Sequence, residues 1–331
     1  ILQRSNLDKQ AIEAERSVIL REMEEVNKNM EEVVFDHLHA VAYQGTSLGR
    51  TILGPPQNIL SLQQAHIRDY VNINYTGPRM VLVGAGAVEH EELEALADKH
   101  FATLSAVHST SGQLVEPARY TGSDVLMQDD TMHEAYVAIA VEGVPWNSPD
   151  YWPLLIAQSV VGSWDRSLAG GQHMASKLAQ TVSQKGLAQS FMSFNTSYTD
   201  TGLFGIYFVS DRIYNLDDMV YAIQQEWVRL CLGVTDDEVK RARNQLKTNL
   251  LLSLDGSTAI AEDIGRQLLT LGRRIDLGET LALIDSIDAK RVREVSSEYL
   301  YDRCPVVAAF GPLDSLPDYN EIRASTTWLR N

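Results

Sequence analysis

The spacing of apolar residues predicts that helices make up most of the chain. Between Ala11 and Asp36, apolar side chains recur at three- and four-residue steps among glutamates, which is typical of one or two amphipathic helices. The same spacing predicts two long helices over 217–232 and 236–254. Further helices are predicted over the segments SLQQAHIRDYVNINYT, EHEELEALADKHFATL, PDYWPLLIAQSVVG and DAKRVREVSSEYLY.

Shorter apolar runs predict strands between these helices. The segment AQSFMSFNTSYTDTGLFGIYFV is rich in aromatic and β-branched residues around the turn Asp200–Gly202, so it predicts a hairpin. Single strands are predicted over PRMVLVGAGAV, EAYVAIAVEGVP and PVVAAFGPL. Residues 105–124 are polar and irregular, which predicts an interdomain linker. We therefore expect one domain over 1–104 and a second over 125–331.

The second half of the sequence repeats the first. Glu15 aligns with Ala242 and Glu22 with Asn249, so the second copy keeps the apolar stripe but lacks both acids. We infer that these acids are not needed for folding. The alternative is that two amphipathic helices align by chance. The other aligned pairs are Leu62 with Ile287, Val81 with Val306 and Gly86 with Gly311, and in the helical part Ile12 with Val239, Arg16 with Arg243 and Ile19 with Leu246.

The two acids that the second copy lacks are candidate functional residues. Glu15 and Glu22 are two helical turns apart, so they leave the same side of the helix, with Val18 and Ile19 between them. We expect them to face partly inward. A desolvated carboxylate needs a cation, a metal or a proton donor, which makes Glu22 a candidate metal ligand. The alternative is a solvated helix face, as is common for charge runs.

The histidines and glycines do not complete a known catalytic motif. None of the eight histidines lies in an HxxEH frame, in which two zinc ligands share one face of a helix. His37 and His39 are two residues apart and point in different directions, so we interpret them as surface or interface residues. Gly84 and Gly86 lack the third glycine of a dinucleotide loop, and we expect them to serve packing between a strand and a helix.

Composition and charge narrow the class of protein. The chain has 331 residues, 44% of them hydrophobic, which is enough for two packed domains. No apolar run approaches the roughly 18 to 20 residues of a membrane span, and we see no targeting peptide at the start. The net charge of −16 argues against nucleic-acid binding and favours cationic ligands. Cys231 and Cys304 lack metal spacing, so we expect reduced thiols in a non-secreted protein.

Several long segments resemble one protein family. They are ERSVILREMEEV, SLGRTILGP, GPRMVLVGAGAV, WDRSLAGGQHMASKLAQ, SFNTSYTDTGLFGIY and DEVKRARNQLKTNLL. Together they resemble the pitrilysin–insulinase family of zinc metallopeptidases, most closely its mitochondrial processing-peptidase branch. The resemblance implies an α+β fold of two homologous domains, each an antiparallel-rich sheet packed with helices. The first of these domains would be incomplete at its N-terminal side.

The resemblance also implies roles for individual residues. Glu22 matches the third zinc ligand of the family, and Glu15 matches a residue that supports the site. The other two ligands would come from an HxxEH motif upstream of residue 1, so we do not expect the chain by itself to cleave peptides. Phe191, Phe194 and Asn195 are candidates for lining the substrate site, and Glu32 is a candidate for contacting substrate arginines.

Each substrate-site candidate has a structural alternative. Phe191 and its neighbour Phe194 are equally expected in a hydrophobic core. Glu31, Glu32 and Asp36 could meet the arginines of a substrate or simply face water, because exposed charges interact weakly.

The family implies a function, partners and a location. The implied function is that of a β-type subunit of a mitochondrial zinc endopeptidase, which removes Arg-rich presequences beside a homologous α-type subunit with a glycine-rich loop. Gly170–Gly171 is a much shorter version of that loop, which favours the β type. The implied location is the mitochondrial matrix or the matrix face of the inner membrane. The alternative is an inactive structural core subunit of ubiquinol–cytochrome c reductase, respiratory complex III.

Overall fold

The structure is a computed structural model that describes residues 2–104, 116–167, 170–212 and 214–327. Its helices are α1 (Lys9–Val26), α2 (Met30–Ala42), α3 (Pro56–Ser61), α4 (Gln64–Asn74), α5 (His90–Phe101), α6 (Tyr151–Val161), α7 (Lys177–Lys185), α8 (Leu216–Leu232), α9 (Asp236–Ser253), α10 (Ser257–Leu271), α11 (Leu277–Asp285), α12 (Ala289–Leu300) and α13 (Tyr319–Ser325). Its strands are β1 (Asp124–Gln128), β2 (Ala135–Glu142), β3 (Ser163–Asp165), β4 (Ser190–Ser197), β5 (Gly202–Ser210) and β6 (Val306–Gly311).

The chain divides into two compact units, each built from three stretches of sequence. The first unit comprises Ile1–Asn29, Arg50–Glu116 and Leu254–Arg274, and the second comprises Met30–Gly49, Pro117–Ser253 and Ile275–Asn331. The predicted domains over 1–104 and 125–331 differ from these units over 30–49 and 254–274. The domain boundaries stay a prediction, and part of the predicted linker, residues 105–115, lies outside the described residues.

The first unit is helical in its described residues. The N-terminus of α1 is fixed by Asp8, whose side chain accepts a hydrogen bond from the backbone N–H of Ala11 at 2.9 Å. No residue of α1, α4, α5 or α10 is buried. The apolar faces of these helices are therefore only partly covered within the described part of the unit.

The prediction of a strand over PRMVLVGAGAV is wrong. A short 3₁₀ turn occupies Gly77–Arg79, and the residues after it form no ladder. Val81 is 40% exposed and Leu82 is 52% exposed. A strand is stabilised by backbone hydrogen bonds to a neighbouring strand, and none of the six strands of the described chain lies in this unit.

The second unit contains a six-stranded sheet in the order β1-β6-β2-β5-β4-β3. The β1–β6 pair is parallel and the other four pairs are antiparallel, which confirms the antiparallel-rich α+β fold. β4 and β5 form the predicted hairpin, with Ser197 opposite Gly202 at its closed end. β3 is the short strand at one edge.

Helices pack on both faces of this sheet. On one face, Ile139 and Val141 of β2 belong to a core that includes buried residues of α6, α8 and α12. On the other face, Ala138 belongs to a smaller core that includes Val34 and Leu38 of α2. The alternation along β2 therefore places successive side chains in different cores. Within the described ranges, no helix has the length and apolar content that a bilayer crossing requires.

Candidate metal centre

Glu15 and Glu22 lie on α1 as predicted, but the expectation that they face partly inward is wrong. Both side chains are exposed, and neither has a hydrogen bond or ion pair with another described residue. The reason is that α1 buries no residue, because a helix face is buried only where another element covers it. Among the described residues, no group of three or more His, Cys, Asp or Glu side chains could hold a metal ion. The assignment of both residues to a metal site stays a prediction.

A neighbouring arginine fixes the position of α1. Arg16 is 16% exposed in its side chain, and its guanidinium donates hydrogen bonds to the carbonyl oxygens of Leu60 and Leu62, the latter at 2.9 Å. These carbonyls lie at the C-terminal end of α3, where helix carbonyls lack partners within the helix. Arg16 therefore binds the end of α3 to the middle of α1.

The second unit contains the same contact. Arg243 of α9 donates from Nη1 to the carbonyl oxygens of Asp285 and Ile287, at 2.6 and 3.1 Å. The sequence repeat aligns Arg243 with Arg16 and Ile287 with Leu62. In both arginines the Nε atom is buried and has no hydrogen-bond partner in the described residues. The repeated contact agrees with the alignment of α1 with α9 in the sequence repeat.

Beside α9, the second unit has a cavity of about 340 Å³. From α9 it is lined by Ala242, Leu246 and Asn249, which the repeat aligns with Glu15, Ile19 and Glu22 of α1. The opposite wall is α6. The lining residues of α6 and the loop after it are Leu155, Gln158, Ser159, Val160, Gly162 and Ser163, and Met174–Ser176 and Ser193 complete the cavity with Glu238, Arg241 and Gln245.

Hydrogen bonds fix α6 to the sheet beside this cavity. Gln158 donates from Nε2 to the carbonyl oxygen of Ser193 in β4 at 3.0 Å. The Ser193 hydroxyl in turn donates to the carbonyl oxygens of Gln158 and Gly162, at 2.9 and 2.7 Å. The sequence analysis did not single out Gln158 or Ser193. The only signal in the sequence is the spacing of Gln158 from Leu155 and Ser159 along α6.

The two phenylalanines of β4 are core residues of the second unit. Phe191 is 2% exposed and belongs to the core on the α6 face. Phe194 is 8% exposed on the opposite face, with its ring centroid 5.0 Å from that of Phe35 in an edge-to-face arrangement. Their burial fits the core alternative. The role of Phe191 in lining a substrate site stays a prediction.

Asn195 has unsatisfied polar atoms. Its Oδ1 and Nδ2 are both buried, and neither has a hydrogen-bond partner in the described residues. Buried amides are normally paired because an unpaired group loses its hydrogen bonds to water without replacement. An amide of this kind is chemically suited to bind a polar group of a ligand. The sequence pointed to Asn195 only through the family resemblance.

The acidic residues of α2 have different surroundings. Glu31 and Glu32 are exposed in its first turn, where carboxylates interact favourably with the helix dipole. Asp36 is half-buried, and burial raises the pKa of its carboxyl group, against the opposing effects of His39 and His37. Contact of Glu32 with a substrate arginine stays a prediction.

His39 is part of a hydrogen-bonded pair within the second unit. Its Nδ1 lies 2.7 Å from the carbonyl oxygen of Phe35, so this nitrogen carries the proton and donates. Nε2 forms a hydrogen bond with the hydroxyl of Tyr198, which follows β4. Burial raises the pKa of Tyr198 to about 12, so the hydroxyl keeps its proton at neutral pH. His39 thus joins α2 to the hairpin.

The glycine motifs have local structural roles. Gly170 has a φ of +103°, in the left-handed region that favours glycine. A Cβ on Gly171 would lie 2.4 Å from the hydroxyl of Ser183 and 2.6 Å from Nε1 of Trp164, so only glycine fits there. At Gly84, a Cβ would lie 3.1 Å from the side chain of Leu93 in α5. Gly84 therefore packs closely on a helix, as expected, but it lies in no strand.

Comparison with known proteins places this architecture in a family. Residues 1–56 match the family model described as insulinase, peptidase family M16, and residues 61–246 match the model of the peptidase M16 inactive domain. The cavity beside α9 lies largely within the second match.

Curated relatives match the chain along its whole length. It is 51% identical over 331 residues to the β subunit of the human mitochondrial-processing peptidase. The alignment covers all of this chain and 68% of the human protein. The corresponding subunit of Lentinula edodes is 51% identical over 327 residues, covering 98% of this chain and 70% of that protein. A probable β subunit of Arabidopsis thaliana is 50% identical, covering all of this chain and 62% of that protein.

A solved structure has the same fold. It is a chain of the Inz-5-bound complex III2 from Candida albicans, and it superposes with a TM-score of 0.87 at 28% sequence identity. The superposition covers 98% of this chain and 76% of the other. The two family models, the curated relatives and this superposition agree with one another. The chain belongs to the insulinase family of peptidases, family M16.

Proposed function

We propose that this chain is part of the β-type subunit of a mitochondrial zinc endopeptidase that removes presequences from precursor proteins. The names of the curated relatives support this proposal, because each of the three compared above is a β subunit, or a probable one, of the mitochondrial-processing peptidase. In the proposal, Glu22 is a zinc ligand and Glu15 supports it. The remaining ligands lie in a part of the longer polypeptide outside these 331 residues.

The observation that carries the proposal is the equivalence of α1 and α9. The similar contacts of Arg16 and Arg243 support this equivalence. In the second unit, the face that aligns with Glu15 and Glu22 lines a cavity. The same face of α1 is therefore suited to line a cavity when a second wall covers it, and that would bring both carboxylates into a metal site.

The residues present fit a zinc site in part. An ionised carboxylate such as that of Glu22 accepts hydrogen bonds but does not donate them. It can donate an electron pair to zinc at the third position of a tetrahedral site. Glu15, two turns earlier on the same face, would accept a hydrogen bond from a ligand histidine and fix its ring. When bound, zinc would supply Lewis acidity, polarising the scissile carbonyl and making a water molecule more acidic.

The surface charge supports cationic substrates. With a net charge of −16, the chain attracts Arg-rich peptides, and presequences are of this type. In the proposal, Glu32 contacts substrate arginines and Asn195 and Phe191 contribute to the substrate site. The proposed partner is a homologous α-type subunit with a glycine-rich loop, and the proposed location is the mitochondrial matrix or the matrix face of the inner membrane.

The substitution Glu22→Gln in the full-length protein tests the metal assignment. We expect the variant, assembled with its α-type partner, to lose its zinc and to cleave a presequence peptide at least about 100-fold more slowly, because an amide is a poor zinc ligand. The variant should keep its fold, as judged by circular dichroism, because the aligned helix α9 forms with Asn249 at this position. The zinc content is measured by inductively coupled plasma mass spectrometry, and the rate of peptide cleavage is measured by liquid chromatography.

Glu24→Gln is the matched control. Glu24 is also exposed on α1 but points to another side of the helix, so this variant should keep both zinc and activity. A Glu22→Gln protein with unchanged zinc content would contradict the assignment.

A second candidate function is that of a structural core subunit of complex III. The superposition with a chain of complex III2 favours it. The two candidates differ in metal content. Native full-length protein with about one zinc per chain would support the peptidase, whereas protein purified without chelators and containing no zinc would support the structural subunit.

A further inference from the structure

The cavity beside α9 has a polar mouth and an apolar floor. The mouth is formed by Arg241, Gln245 and Asn249, which are exposed and follow one another at four-residue intervals along one side of α9. The floor includes the buried side chains of Val160 and Ala242, which are 7% and 3% exposed. Its volume of about 340 Å³ suits a small organic molecule.

The polar groups near the floor are already satisfied within the protein. The hydroxyl of Ser176 donates a hydrogen bond to the carbonyl oxygen of Val161 at 2.6 Å. The hydroxyl of Ser193 donates to the carbonyl oxygens of two residues of α6 and its C-terminal end, as described above. An apolar group in the cavity would therefore leave no buried hydroxyl without a partner, which is the condition for favourable burial.

The charges around the cavity leave one cation over. Arg229 lies 2.7 Å from a carboxylate oxygen of Glu226 and 2.7 Å from one of Glu238, which lines the cavity. Lys177 also stabilises both carboxylates electrostatically. Two acids and two cations thus balance each other. Arg241 has no hydrogen bond or ion pair with a described residue, so the mouth has an unbalanced positive charge in a chain of net charge −16.

We propose that this cavity binds a small carboxylic acid with an apolar chain, the carboxylate at Arg241 and the chain against the floor. A guanidinium pairs with a carboxylate through two parallel hydrogen bonds, and the amides of Gln245 and Asn249 have further N–H groups to donate. A single cation balances one negative charge, which favours a carboxylate over a phosphate monoester with nearly two. None of these residues has a role in the proposed function.

The test is a titration of the full-length protein with octanoate, followed by NMR of methionine methyl groups labelled with ¹³C. Met174 lines the cavity and is half-buried, so its methyl signal reports on occupancy, and Met174→Leu identifies that signal. We expect a saturable shift with a dissociation constant on the order of 0.1 to 1 mM, as is usual for a ligand of about ten non-hydrogen atoms. A Met174 signal that does not move would overturn the proposal.

The charge of the ligand is tested with octanol and octylamine, which have chains of the same length. Both should bind at least about 10-fold more weakly than octanoate, because neither forms the charged pair with Arg241. The role of the floor is tested with hexanoate, which should bind roughly 10-fold more weakly because it buries two fewer methylene groups. Octanol or hexanoate binding as tightly as octanoate would overturn the proposal.

Arg241→Ala should weaken octanoate binding by about 10-fold or more, because the charged donor is lost. Lys240→Ala is the matched control. Lys240 is exposed on α9, next to Arg241 in sequence but about 100° around the helix, and it does not line the cavity. The control removes the same charge and should bind octanoate as the unaltered protein does. Equal affinities of the two variants would overturn the proposal.

A charge reversal provides a second variant at the same position. Arg241→Glu should bind octylamine more tightly than octanoate, because the carboxylate attracts the ammonium group and repels an anion. Circular dichroism checks that each variant is folded. A folded Arg241→Glu protein that still prefers octanoate would overturn the proposal.

Discussion

At the scale of single residues, Arg16 and Arg243 give the clearest evidence of duplication. Each guanidinium binds two backbone carbonyls from a segment more than forty residues away in sequence. Charged donors to backbone carbonyls are stronger than neutral ones, because the charge is only partly screened where the side chain is half-buried. The identity of the contact in both units is difficult to explain by a chance alignment of amphipathic helices.

Replacing Arg243 should measure what this contact contributes. We expect Arg243→Ala to destabilise the protein by about 1.5 to 3 kcal/mol, because it removes the charged donor that binds both carbonyls. The measurement is the midpoint of urea unfolding. Arg241→Ala is the control, since Arg241 is exposed and pairs with no described residue, and it should change stability by less than about 0.5 kcal/mol. Equal midpoints for the two variants would contradict the role of Arg243.

Asn195 allows a prediction that separates stability from function. Asn195→Leu removes a buried amide without partners and places an apolar side chain of similar size there. We expect the unfolding free energy to rise by about 1 kcal/mol, because the cost of the unpaired polar atoms is removed. If the amide binds substrate as proposed, KM for a presequence peptide should rise in the assembled enzyme.

The control for Asn195 is Thr196→Val, on the exposed opposite side of β4. It should change neither KM nor stability by a comparable amount. A stabilised Asn195→Leu enzyme with unchanged KM would show that the amide has no part in substrate binding.

At the scale of elements, the two aligned apolar segments behave differently. Val306–Gly311 forms β6, bonded to β1 on one side and β2 on the other. Residues 81–86 align with β6 but form no strand in the described first unit. Their sequences are equally apolar, so the difference comes from the neighbours. A strand forms where other strands satisfy its backbone N–H and C=O groups.

Hydrogen exchange should show this difference. In the 331-residue chain, we expect the amides of 306–311 to exchange slowly and those of 81–86 to exchange quickly, because only the former are in a ladder. In a longer polypeptide that includes the rest of the length of the relatives, 81–86 should become protected. The internal reference is 306–311, which should exchange slowly in both proteins. Rapid exchange of 81–86 in the longer protein would contradict a strand there.

At the scale of the whole molecule, two halves with the same ancestry have different chemistry. One carries the carboxylates Glu15 and Glu22, and the other carries Ala242 and Asn249 at the aligned positions. In the half without the acids, the aligned helix face lines a cavity, beside which hydrogen bonds join Gln158 to Ser193. This difference agrees with a match to the M16 model over 1–56 that is followed by a match to the M16 inactive domain over 61–246.

The sequence by itself determined the hairpin, the long helices and the internal repeat, whereas the family resemblance implied the α+β class. These depend on local periodicity and on similarity between segments, which a single chain displays directly. It also pointed to Glu22, although only the family resemblance gave that residue a role.

The tertiary structure decided what depends on neighbours. It showed that Glu15 and Glu22 are exposed, that 81–86 forms no strand and that Phe191 is buried in a core. It also brought Leu155, Gln158 and Asn249 to one cavity from helices far apart in sequence. Burial and strand pairing are properties of the surfaces that meet, and periodicity in one segment does not specify which surface covers it.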